Sequence, residues 1–221
     1  MEEGTVKQYD WPVPPGAKPS AQTSAWDDCL ARHGRDTRWI AFIDLDEFLF
    51  SPAGAPVPEV LREFEHLSGL GVPWALFGPS GHKTPPPGLV IENYTERSTK
   101  PRRSRWFKSV VDPRRVRRSR GPHAFDYDDG VGLYPVPAFA PFDRLRINHY
   151  WTKSEEEFRR KIAGPRAHPN TTVPLDRALT ITAQGYGMTD DAILRYLPAV
   201  RQALAAREQS SNAPAEADFA P

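Results

Sequence analysis

The sequence predicts an α/β layer fold with a mainly parallel sheet. Helical and strand patterns alternate through the first third of the chain. The run RWIAFIDL (Arg38–Leu45) is almost continuously apolar, as in a strand covered on both faces. The run PWALFG (Pro73–Gly78) has the same character and follows a helical segment.

Element by element, TVKQYDW (residues 5–11) reads as a short strand, and the Pro-rich stretch Pro12–Pro19 as a loop. SAQTSAWDDCLARHG reads as a helix. Ser20 is its candidate cap, Ala25, Cys29 and Leu30 share a face, and Gly34 suits its end. RWIAFIDL follows as a buried strand. PEVLREFEHL (Pro58–Leu67) opens with Pro at a favoured first-turn position and places Val60, Leu61, Phe64 and Leu67 at helical spacing. PWALFG is the next strand. Residues 78–142 read as loops and short antiparallel strands, with further prolines at Pro85–Pro87 and Pro135–Pro141. RLRINHYWTKS is a strand breaking into the helix EEEFRRKIAG, where Ser154 and Glu157 have capping-box spacing. TDDAILRYLPAVRQALAAR is a final helix with Thr189 as candidate cap and a restart at Pro198.

The chain of 221 residues suits a single domain over 1–207, with a polar, disordered tail over 208–221. Lys plus Arg and Asp plus Glu nearly cancel, 29 against 28, so overall charge selects no partner. Arg97–Arg120 is a local basic segment that suits phosphates, acidic sugars or plain solvent. With Cys29 alone, the fold does not depend on an internal disulfide. The polar start is unlike a signal peptide and no apolar run reaches the roughly 20 residues of a membrane span, so the expected location is the cytoplasm.

Asp44, Asp46 and Glu47 sit against this apolar background. In open α/β sheets, ligands bind beyond the carboxyl ends of strands. Period-2 alternation puts Asp44 and Asp46 on one side. Two close carboxylates repel, and a hard divalent cation such as Mg²⁺ or Mn²⁺ removes that penalty, taking substrate phosphates as further ligands. The other reading of a lone D-x-D is structural: acids that cap the next turn or stay solvated.

RWIAFIDLDEFLFSP, preceded by AQTSAWDDCLARHG and followed in order by PWALFGPSGH, WFKSVVDP, PHAF and INHYWTKSEEEF, resembles glycosyltransferase family 92. That family is related to the broader family 2 group. The resemblance implies a GT-A type, Rossmann-like fold with a mixed, mainly parallel sheet and flanking helices. It implies transfer of a sugar, of the hexosyl type, from a nucleotide-sugar, usually a UDP-sugar, to a glycan or lipid-linked hydroxyl. It also implies Mn²⁺ or Mg²⁺ as cofactor. Asp44 falls near the ribose or the metal, Asp46 is the direct ligand, and His149 is a candidate third ligand or a histidine satisfied within the sheet. Gln22, Asp28 and Lys108 become donor contacts. Gly81, His82 and Trp106 become sugar-pocket residues, although GPSGH also reads as an ordinary turn. For catalysis, Asp46, Glu47 and Asp191 are candidates, with Glu92 and Asp190 as other acids able to take the acceptor's proton. The family's nucleotide-clasping strands are expected before VKQYDW, so the sequence reads as N-terminally truncated.

Two rival readings stand beside this. AFIDLDEFLF superficially resembles the D-x-D-x-T motif of haloacid-dehalogenase-type phosphatases, with Asp44 as nucleophile and Asp46 as acid/base. Phe48, however, stands where Thr or Val belongs. The other rival is an inactive remnant or carbohydrate-binding module of the same fold. Nucleic acid is not an expected partner, because few aromatics interleave the basic run. Peripheral membrane contact is compatible with a lipid-linked acceptor.

Overall fold

The computed structural model describes residues 6–11, 21–99, 107–129, 138–163 and 186–211. Trp106, Ser20 and most of the tail lie outside them. Residues 6–11 form no strand, contrary to expectation. They lie against helix α1 (Ala21–His33), with Tyr9 Oη at 3.2 Å from His33 Nε2 and Trp11 Nε1 donating to Ser24 Oγ at 2.9 Å.

The predicted strand Arg38–Leu45 is mostly absent. Only β1 (Ile40–Ala41) is paired as a strand, and Ile43 and Leu45 are exposed. The chain turns at Asp44–Glu47, where Glu47 N donates to Asp44 O at 3.0 Å, and continues as β2 (Glu47–Phe50). Helix α2 (Val57–Arg62) begins with Pro58 near its start, as predicted, but ends at Arg62, short of the predicted Leu67. Strand β3 (Gly69–Leu76) starts four residues before Pro73. After it come α3 (Val90–Asn93), β4 (Glu96–Ser98), β5 (Phe107–Val111), the hairpin β6 (Val116–Ser119) and β7 (Phe125–Tyr127), and β8 (Ala138–Phe139). Strand β9 (Arg146–His149), helix α4 (Glu155–Ala163), β10 (Tyr186–Thr189), a 3-10 turn (Ala192–Tyr196) and helix α5 (Leu197–Ser211) complete the order.

The main sheet runs β1-β5-β3-β9-β2, with β8 beside β3. Its β1/β5, β5/β3 and β9/β2 pairs are antiparallel, and only β3/β9 and β3/β8 are parallel. The sheet is therefore mixed and not mainly parallel. The class of fold is α/β as predicted; the strand directions are not. Pro73 marks the point on β3 where pairing passes from β5 (through Pro73) to β9 (from Trp74). A proline, lacking an N–H, is tolerated at such a break in a ladder.

The capping box at α4 is present: Ser154 N donates to Glu157 Oε2 at 3.1 Å and Glu157 N to Ser154 Oγ at 3.3 Å. Helix α5 restarts beside Pro198 and extends past residue 207 to Ser211. Thr189 ends β10 and does not cap a helix.

Three apolar clusters hold these elements. Leu70, Val72, Val110 and Ile147 pack with Val60 and Leu61 of α2. Phe50, Ala75, Phe77 and Tyr150 pack with Ile91 and Ile193. Phe42, Val111, Phe125 and Tyr127 receive Trp26, Cys29 and Leu30 from α1. The arginines of the β6–β7 hairpin face acids of their own hairpin: Arg115 pairs with Asp129, Arg117 with Asp128, and Arg118 and Arg120 with Asp126. That part of the basic segment is internally neutralised.

Candidate active site at the acidic turn

The acidic turn lies where the sheet's two edge strands are joined. Residues 42–46 carry the chain from β1 at one edge to β2 at the other. Phe42 N still reaches Ser109 O at 3.2 Å, extending the β1/β5 pairing. Five positions later, Glu47 is already opposite His149 on β9. Side chains from β5 and β9 therefore converge on a turn whose sequence is three-quarters carboxylate.

Asp44 is reached from two elements. Lys108 Nζ donates to its Oδ2 at 2.7 Å and Gln22 Nε2 to its Oδ1 at 3.1 Å. Its side chain is 41 % exposed, whereas that of Lys108 is 1 % exposed. Lys108 is buried because β5 is buried along its whole length. Its ammonium lies 5.6 Å from the Trp26 ring centroid and 5.9 Å from that of Trp74, within cation–π range.

Asp46 meets a different set of partners: β1 ends at Ala41 and β2 starts at Glu47, so the strand alternation expected to set Asp44 and Asp46 on one side does not run through the turn. Lys161 Nζ donates to its Oδ2 at 2.6 Å, and His149 Nε2 lies 3.5 Å from its Oδ1. Burial alone would raise the Asp46 pKa. The hydrogen bonds from His149 and Lys161 outweigh it and hold the carboxyl well below the usual carboxylate range.

Glu47 is enclosed. Its Oε2 accepts from Asp44 N at 2.9 Å and lies 3.7 Å from Lys108 Nζ. Its Oε1 is 3.8 Å from His149 Nδ1, and both of these buried atoms lack a hydrogen-bond partner. Burial pushes its pKa up to about 7, against the Asp44 N–H and Lys108, while the charges of Asp44 and Asp46 add to the rise. The Trp74 ring packs edge-on to His149 at 4.3 Å and to His123 at 5.3 Å. Burial lowers the His123 pKa, which favours the neutral imidazole.

The fold thus gathers Gln22, Asp44, Asp46, Glu47, Lys108 and His149. It places the other candidates elsewhere. Asp28 pairs with Arg32 one turn along α1. Asp190 is clamped by Arg97 and Arg146, each at 2.5 Å. Glu92 pairs with Arg201 and caps α3. Asp191 is exposed at the head of the 3-10 turn. His82 Nε2 lies 3.1 Å from Asn93 O, and Gly81 uses its freedom to take φ +79° in the preceding turn. Trp26, Trp74, His123 and Lys161 belong to the cluster although the sequence did not single them out. Only Trp26 carried a signal, lying one helical turn after Gln22.

Among the described residues, no group of three or more His, Cys, Asp or Glu side chains is arranged to hold a metal ion. Asp46 Oδ1 and His149 Nε2 do stand side by side as one oxygen and one nitrogen donor. Mg²⁺-type cations commonly rest on one or two carboxylates and complete their shell with phosphate and water; Asp46 supplies one such carboxylate, and the His149 nitrogen beside it is the softer of the two donors.

A family model described as Glycosyltransferase family 92 matches residues 2–165. The chain belongs to glycosyltransferase family 92. It is 29 % identical over 164 residues to a glycosyltransferase family 92 protein of Oryza sativa subsp. japonica, covering 72 % of this chain and 26 % of that protein. Its identity to a family 92 protein of Ricinus communis is 30 % over 170 residues, covering 72 % of this chain and 28 % of the relative. A family 92 protein of Arabidopsis thaliana is 25 % identical over 179 residues, with 73 % and 29 % covered. The chain thus spans little more than a quarter of the length of these relatives. The matched region contains the acidic turn, Lys108, His149 and Lys161.

Proposed function

We propose that this chain carries the donor-handling site of a metal-dependent hexosyltransferase of GT-A type, with residues 1–207 as one domain. It moves a sugar from a nucleotide-sugar, a UDP-sugar in the first instance, to a hydroxyl of a glycan or lipid-linked acceptor. The reading includes cytoplasmic placement, with peripheral membrane contact when the acceptor is a lipid. Among the described residues, no helix is long and apolar enough to cross a membrane. The observation that carries the reading is the Asp46–His149 donor pair, 3.5 Å apart within the family-matched region.

In such a reaction the acceptor oxygen bonds to the anomeric carbon, the bond from that carbon to the diphosphate breaks, and the acceptor's proton passes to a base. Asp46 and His149 would hold the Mn²⁺ or Mg²⁺, which would neutralise charge on the departing diphosphate. Lys108 holds Asp44 in place through its hydrogen bond, leaving the half-exposed carboxylate to meet the donor's ribose. Glu47, with a side chain wholly enclosed, braces Lys108 and His149 and orders the turn through the Asp44 N–H.

The test is calorimetric titration of the full chain with UDP in Mn²⁺, alongside Mn²⁺-dependent hydrolysis of UDP-sugars. Binding that Asp46→Asn removes and chelation abolishes is expected. UDP affinity unchanged by both would overturn the reading. UDP binding without turnover would favour a binding module of the same fold. Hydrolysis of p-nitrophenyl phosphate in place of any UDP-sugar would favour the phosphatase reading.

A further inference from the structure

We propose that Lys161 is a tethered cation that competes with the divalent ion for Asp46, so that loading the site requires the lysine to leave the carboxylate. This rests on the reading of Asp46 and His149 as a cation platform.

Two lysines touch the acidic turn, and their surroundings differ. The Lys108 side chain is 1 % exposed and stands between two carboxylates. Returning its ammonium to water would require opening the sheet. The Lys161 side chain is 45 % exposed. Its ammonium donates to Asp46 Oδ2 at 2.6 Å and to Trp151 O at 3.1 Å, and lies 5.9 Å from the Trp151 ring centroid. An ammonium with an exposed stem exchanges protein partners for water at little cost.

The backbone beneath it is fixed. Lys161 lies in the last turn of α4, whose start is held by the Ser154–Glu157 capping box and whose Phe158 is buried against the fold, edge-on to Trp151. The exposed side chain can leave the carboxylate without disturbing those anchors. Charge decides the competition. An ammonium about 4 Å from a dication weakens the dication's binding by about thirtyfold even in a water-like dielectric. While Lys161 stays on Oδ2, a cation on Oδ1 and His149 Nε2 meets that repulsion. With the lysine swung into solvent it does not. Lys161 thus holds the Asp46 carboxylate in place and raises the threshold for cation entry.

The experiment is titration of the full chain with Mn²⁺ alone, with free Mn²⁺ read by electron paramagnetic resonance. Wild type, Lys161→Met, Lys161→Arg and Asp46→Asn are compared, with thermal melts to verify folding. Lys161→Met is expected to bind Mn²⁺ several-fold more tightly than wild type, up to about fivefold, because no partly exposed ion pair has to be given up on loading. Lys161→Arg, which keeps the charge, is expected to bind like wild type, and Asp46→Asn to lose binding. Should Lys161→Met melt early, Lys161→Gln makes the same comparison. Equal affinity of wild type and the neutral variants overturns the competition but leaves the cation platform standing. Equal affinity of wild type and Asp46→Asn overturns the platform. Absence of Mn²⁺ binding in every protein overturns both.

Discussion

At the scale of single residues, the buried charges of Lys108, Asp112 and Arg146 each meet an opposite charge. Lys108 is buried, and Asp44 and Glu47 within 4 Å make that tolerable. Lys108→Met keeps the stem but leaves two carboxylates facing each other. Removing one partner from a buried pair typically costs about 3 kcal/mol or more. The urea midpoint should fall accordingly, and Lys108→Met in an Asp44→Asn background should fall less. Equal losses in the two backgrounds would show that the charge is not what matters. Asp190 gives a pH dependence of known sign. Burial alone would raise its pKa, but hydrogen bonds from Arg146 and Arg97 win and lower it. The folded protein therefore binds fewer protons there than the unfolded chain. The stabilisation is present above the unfolded carboxyl's pKa of about 4 and lost as pH falls through the folded value. Asp190→Asn should flatten the acid limb of a plot of melting temperature against pH below about 4, and an unchanged limb would remove Asp190 from the account. The sequence could not separate this aspartate from a catalytic base. Its partners stand 44 and 93 positions away, and no local pattern encodes them. Asp44, Asp46 and Glu47 were legible because three acids interrupt an apolar run. Lys161 was not, because a lysine in a helix's last turn is what ordinary helix chemistry already explains.

At the scale of elements, the misread stretch is the informative one. Trp39–Leu45 has the composition of a buried strand, yet only Ile40 and Ala41 pair as one. The remainder crosses the end of the sheet, and its apolar side chains divide between core and surface: Phe42 joins the Trp26–Phe125 cluster, while Leu45 is fully exposed between the two aspartates. Composition reports burial, not pairing, so a crossing segment and a strand look alike until long-range partners are known. The same limit explains the strand directions. A hydrophobic run revealed part of β3, and residues 78–142 read as loops and short antiparallel strands, but nothing local showed that β5 would pair antiparallel with β3 inside the main sheet. Nor did that run reveal that β3 begins at Gly69 and continues through Pro73, because Pro is ordinarily read as a strand's first residue. Gly69 supplies a test of this register. A Cβ there would lie 2.3 Å from Tyr127 Oη and 2.6 Å from the ring of Tyr127, which is itself buried. Gly69→Ala should therefore cost about 1–3 kcal/mol through overpacking. A second change, Tyr127→Leu, should restore part of the loss. An unaltered melting temperature for Gly69→Ala would mean that β3 and β7 do not meet this closely.

At the scale of the whole molecule, the region matched by the family ends at residue 165, but the core does not. Ile193 is buried with Phe50, Phe77 and Ile91, and Tyr196 and Leu197 pack on the same cluster. Tyr196 stands edge-on to Phe50 at 6.0 Å, and its hydroxyl donates to Ser51 O at 3.1 Å. Phe50 and Glu47 are the two ends of β2. The C-terminal layer therefore braces the strand that carries the acidic turn, and Asp190, just upstream, locks it through Arg97 and Arg146. Stability and cation binding should then decline together when this layer is disturbed, even though the residues that build it, Ile193, Tyr196 and Leu197, pack on the Phe50 cluster and not on the acidic turn. Ile193→Ala removes buried apolar volume and should cost about 2–5 kcal/mol. If β2 is braced as described, the same variant also loosens Glu47 and Asp46, and Mn²⁺ affinity should drop at temperatures where most molecules remain folded. Urea unfolding and Mn²⁺ titration on one preparation read the two effects separately. A stability loss with unchanged Mn²⁺ affinity would make the layer a support for the core alone. An Ile193→Ala protein as stable as the parent would show that residues 186–211 do not share the core at all.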